Sequence, residues 1–130
     1  KINGEKLSET DLKGKTILFY FKGNILKLDE IAKAFKENKE VLIFYVFEEN
    51  QFYHNLKTIK ELNFEQKYTF NVLFDKDNLF SKSLDFDKMP GAFLIDKNLN
   101  IKRLYLNEYY FYGNYYSKKI INQISNLVSE

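Results

Sequence analysis

Two uninterrupted apolar runs, Thr16–Phe21 and Val41–Phe47, are separated by a segment in which apolar residues recur with helical spacing. A strand with no polar alternation has no wet face, and such strands belong to sheets covered on both sides. Between the runs, Ile25, Leu28, Ile31, Ala32 and Phe35 share one stripe of a helix. Lys27, Asp29, Glu30, Lys33 and Lys36 fall on the other. A helix between two strands gives a crossover long enough for parallel pairing. The chain is thereby confined to the α/β class.

The remaining segments extend that pattern. Ile2-Asn3-Gly4-Glu5 reads as a turn and Ser8–Leu12 as a helical turn capped by Ser8, with Gly14-Lys15 turning into the first strand. Asn38 is the expected stop of the first long helix. Phe52–Leu62 has helical spacing through Phe52, Leu56, Ile59 and Leu62; Thr69–Phe74 reads as a third strand and Asn78–Leu84 as a short helix. Ala92–Ile95 and Ile101–Leu106 flank Lys97-Asn98-Leu99-Asn100 as a hairpin. Tyr116–Val128 closes the chain as an amphipathic helix with Ile120, Ile121, Ile124, Leu127 and Val128 inward. The order β-α-β-α-β-α-β-β-α predicts a three-layer α/β domain over residues 1–130, a mixed central sheet with helices on both faces. No repeat, linker or low-complexity tail divides it.

Composition excludes more than it assigns. The net charge is +2, from 20 basic and 18 acidic residues scattered along 130 positions. No basic block marks a nucleic-acid or membrane-surface footprint. No stretch approaches the ~20 apolar residues of a membrane span. The chain begins at Lys1 rather than Met, so a removed leader is expected. Cysteine is absent. Disulfide exchange and peroxidatic chemistry need a thiolate as nucleophile, and this chain has none.

Three local sequences nevertheless carry a family likeness. Leu12-Lys13-Gly14-Lys15 precedes an apolar strand; Phe19-Tyr20-Phe21 leads into a helix; and Met89-Pro90-Gly91-Ala92-Phe93-Leu94-Ile95-Asp96 is followed by a polar turn and another strand. Together, from about residue 2 to the end, they resemble the TlpA/redoxin branch of thioredoxin-like proteins. The resemblance implies a three-layer thioredoxin-like fold, a cis Met89–Pro90 bond, and an active-site turn in which Asn24 and Lys27 stand where the family carries its two cysteines. Gly23 stands where the family has a tryptophan. It also implies an extracytoplasmic setting, and a groove between that turn and the proline where an extended peptide pairs with backbone. Asn24, Ile25, Leu26, Lys27, Met89 and Pro90 are the candidate lining. Lys27 in the first turn of a helix, where the dipole disfavours a cation, suits an acidic partner.

Other chemistry is thinly represented. His54, the single histidine, reads as a helix-surface residue, and no metal site is expected around it. Asp75-Lys76-Asp77-Asn78 begins like a calcium loop, but Phe80 and Phe86 occupy its required Gly and Glu positions. Asp85 and Asp87 read as turn formers. Gly91 and Gly113 are isolated, so no phosphate cradle forms, and no hydrolytic triad or cofactor motif is present. The tract Glu108–Tyr116 concentrates aromatics, and Tyr109, Tyr110, Tyr112 and Tyr115 form a candidate contact patch. The expectation is a redox-inactive module that binds a protein or peptide. The alternatives are an enzyme with non-thiol chemistry and a structural subunit tethered outside a membrane.

Overall fold

The computed structural model describes residues 9–21, 25–48, 69–75, 91–105, 113 and 115–129. They form α1 (Glu9–Leu12), β1 (Thr16–Tyr20), α2 (Ile25–Ala34), β2 (Val41–Glu48), β3 (Asn71–Asp75), β4 (Gly91–Ile95), β5 (Ile101–Tyr105) and α3 (Tyr116–Ser129). The expected helices over Phe52–Leu62 and Asn78–Leu84 lie outside the described residues, as do His54, Asp85 and Asp87.

The five strands make one mixed sheet in the order β3-β2-β1-β4-β5. β1 pairs in parallel with β2, Thr16 opposite Val41 and Tyr20 opposite Tyr45, and β2 pairs in parallel with β3. β4 runs antiparallel to both β1 and β5. The two strands with unbroken apolar runs therefore sit inside the sheet, and every residue of β1 is buried. Their sequence leaves them no other place.

Alternation along the strands divides the interior into two cores. Leu18, Tyr20, Ile43, Val72, Ala92, Leu94 and Leu104 meet Leu28, Ile31 and Ala32 of α2 and Tyr116, Ile120 and Ile124 of α3. Ile17, Phe19, Phe44, Val46 and Phe93 fill the opposite face, where Leu12 of α1 packs. Phe19 and Phe44 stack there at 5.6 Å between centroids. The sequence predicts helices on both faces; among the described residues α2 and α3 lie together on one, and Leu12 of the single-turn α1 packs on the other. A hydroxyl bond of 2.9 Å between Tyr20 and Tyr116 is sealed inside the first core. It joins the central strand to the last helix and satisfies two oxygens whose isolation would be costly.

The structure revises several details. Asp29, placed by periodicity on the wet face, is only 7% exposed. It accepts the Thr69 backbone N–H at 2.8 Å and an ion pair from Lys33 at 3.0 Å. That bond turns Thr69 and Phe70 into a bend, so β3 starts at Asn71 rather than Thr69. Helix α2 ends at Ala34, before Asn38. Asn38 instead shapes the turn into β2: its side chain accepts the Glu40 N–H at 3.0 Å and its carbonyl the Val41 N–H at 3.2 Å. In the hairpin between β4 and β5, the left-handed residue is Leu99, at φ 66°, rather than either flanking asparagine.

Candidate functional site

The end of β1 and the start of β4 are held side by side. Tyr20 lies opposite Ala92 in the ladder, and one step further the Phe21 N–H donates to the Gly91 carbonyl at 2.8 Å. The Phe21 and Phe93 rings meet edge to face at 5.7 Å, which fixes the junction from the core side. Gly91 is at φ +93°, a backbone conformation that side-chain-bearing residues rarely adopt. Sequence reading gave Gly91 no role, yet the Pro90-Gly91 dipeptide is the signal that would have found it. Only glycine turns readily into a strand at that angle.

Four residues beyond Phe21 the chain starts α2. Of the candidate lining, Ile25, Leu26 and Lys27 form the first turn of this helix. Ile25 is half-buried against the core, and Leu26 projects with 64% of its surface exposed. Lys27 is half-buried, and its carbonyl accepts the Ser117 hydroxyl of α3 at 3.5 Å. Ser117 also donates to the Glu30 carboxylate at 2.5 Å. The helix start is therefore braced from behind by α3. No acidic residue occupies the first turn, so the positive end of the helix dipole is not offset there by its own side chains. Asn24, Met89 and Pro90 lie outside the described residues, and the expected cis bond with them.

The aromatic tract divides. Tyr115 is 65% exposed, with the Lys118 ammonium 5.9 Å from its ring centroid, whereas Tyr116 is buried in the core. Tyr109, Tyr110 and Tyr112 lie outside the described residues. Among the described residues, no group of three or more histidine and carboxylate side chains is placed to hold a metal, and no helix is long and apolar enough to cross a membrane. An open depression of about 710 Å³ is lined by the consecutive residues Lys33–Glu40, at the far end of α2 from this junction. It gathers nothing from other elements.

No protein-family model matches the chain, and no curated protein matches it. Solved structures do. The chain is similar to DsbF of Mycobacterium tuberculosis, with a TM-score of 0.66 and 17% identity over 97% of this chain and 90% of that one. A thioredoxin-family thiol:disulfide interchange protein from Chlorobium tepidum gives 0.56 and 17%, over 78% and 75% of the two chains. StoA from Bacillus subtilis gives 0.52 and 18%, over 69% and 72%. At these identities the likeness is one of fold, and it agrees with the mixed five-strand sheet and helices described above. The chain has the thioredoxin-like fold of thiol–disulfide oxidoreductases, built from a sequence that contains no cysteine.

Proposed function

We propose that this domain is a redox-inactive interaction module that holds an extended segment of a protein partner at the β1–α2–β4 junction. The observation that carries this reading is the Phe21–Gly91 hydrogen bond, which holds the end of β1, four residues before α2 begins, against the first residue of β4. With no thiol to supply, that junction is left with recognition chemistry. An exposed leucine sits on the helix turn, with the helix dipole and Lys27 beside it to favour an acidic or carbonyl-rich ligand, and a partner's backbone would enter by strand addition. Reuse of a fold for a different task is common.

The test is a selection of binders from a random-peptide library, followed by titration into isotopically labelled protein. Selected peptides are expected to shift the amides of Phe21, Leu26, Lys27 and Gly91. Leu26→Asp is expected to weaken them about tenfold or more. The substitution puts an acid in a first helical turn, where it helps the helix, so a loss of binding is not a loss of folding. Peptides that bind elsewhere and ignore Leu26→Asp, or a library that yields none, would overturn the reading.

A further inference from the structure

Strand β5 closes one edge of the sheet among the described residues. The phase of its hydrogen bonding can be read from its hairpin. Asp96 N–H donates to the Asn100 carbonyl at 3.0 Å, so 96 and 100 are a bonded pair. Bonded pairs alternate along an antiparallel ladder. With Leu94 opposite Lys102 and Ala92 opposite Leu104, residues 102 and 104 spend their backbone groups on β4. The N–H and C=O groups of Ile101, Arg103 and Tyr105 then point away from the sheet. The Phe21–Gly91 bond on the other side of β4 requires the same phase.

The rim of this edge has a definite chemistry. From Lys97 to Tyr105 the chain carries Lys97, Lys102 and Arg103 and no acidic residue. The nearest acid, Asp96, is occupied by Asn98 and Asn100. Leu99 and Ile101 are 58% and 51% exposed, and Lys97 and Lys102 are exposed with them. Positive charge on an edge strand opposes pairing with a second copy of itself. It favours a strand of opposite sign, and exposed apolar side chains give such a strand something to cover.

We propose that β5 is a docking edge for an extended acidic segment of a partner protein, added to the sheet through the outward backbone groups of Ile101, Arg103 and Tyr105. This edge faces away from the β1–α2–β4 junction across β4. Tyr105 stands opposite Gly91, and Ile101 lies at the other end of the strand, so protection at Ile101 and Arg103 distinguishes edge docking from binding at the junction. The probe is a short peptide alternating valine with glutamate, and its control alternates valine with lysine. In the full chain the acidic peptide is expected to slow hydrogen exchange at the amides of Ile101, Arg103 and Tyr105. The control leaves these amides unchanged, and binding weakens as salt is raised.

Ile101→Pro removes an outward donor without touching the ladder to β4, a position where an edge strand tolerates proline. It is expected to weaken the acidic peptide about tenfold or more. Lys102→Glu is expected to weaken the acidic peptide and to admit the lysine peptide, a reversal that misfolding does not produce. Protection at other amides, equal binding of the two peptides, or no binding of the acidic one would overturn the proposal.

Discussion

Leu99 shows how much a single backbone angle can cost. A leucine at φ 66° places Cβ against its own carbonyl, and its exposed side chain recovers little by packing. The hairpin holds it there because Asp96 accepts the N–H groups of Asn98 and Asn100 at 2.9 Å each and the Asn100 side-chain amide at 3.0 Å. Leu99→Gly should therefore stabilise the protein by roughly 1 kcal/mol, read as a higher denaturant midpoint at unchanged slope. An unchanged or lower midpoint would show that the strain is offset elsewhere. Those hydrogen bonds, the Asn100 N–H first, hold the Asp96 carboxyl below the usual aspartate range. A lowered native pKa means the hairpin's contribution is complete above the ordinary aspartate value and is lost as pH falls through the lowered one. Amide shifts of Asn98 and Asn100 followed against pH should titrate below the free-aspartate midpoint; titration at or above it would contradict the assignment. Gly91→Ala carries the opposite sign to the Leu99 change. At φ +93° a Cβ is disfavoured, and a loss of about 1–2 kcal/mol is expected in the same denaturation measurement.

Among the elements, α2 is fixed by two polar ties that periodicity does not reveal. Asp29 reaches the backbone ahead of β3, and Glu30 reaches Ser117 of α3. Removing the first by Asp29→Ala should cost about 1–3 kcal/mol, since a bond to a charged acceptor is lost in a nearly buried place. Exchange at the Thr69 amide should rise more than the global loss of stability explains; a uniform rise would show that Asp29 acts on α2 alone. The strands and both long helices were legible because burial on two faces demands unbroken apolar runs, and burial on one demands a stripe. Asp29 was misplaced because its partner lies 40 residues away, and a hydrogen bond across that distance leaves no period in the sequence. The Tyr20–Tyr116 pair, 96 residues apart, is invisible for the same reason. Of the candidate groove, the motif around Met89–Asp96 pointed to the correct strand. Gly91, whose carbonyl ties that strand to β1, is marked in the sequence only by the Pro90-Gly91 dipeptide, and its need for glycine becomes explicit with its φ of 93°.

At the scale of the whole molecule, the mixed five-strand sheet with its helices matches the fold of thiol–disulfide oxidoreductases. What this chain lacks is the nucleophile. Two further consequences separate scaffold from chemistry. In an insulin-reduction or hydrogen-peroxide assay the protein should match the buffer blank, because no thiolate exists to attack a disulfide or peroxide. The most direct test that the junction retains the arrangement of a thiol site without its thiols is the double substitution Asn24→Cys with Lys27→Cys. Spaced as in a Cys-x-x-Cys turn and set at a helix start that lowers thiol pKa, the pair should close to an intramolecular disulfide under mild oxidation. The reduced form should then accelerate insulin reduction above the blank, while the parent chain does not. Two thiols that remain unpaired in the folded monomer, or that cross-link only between molecules, would contradict it.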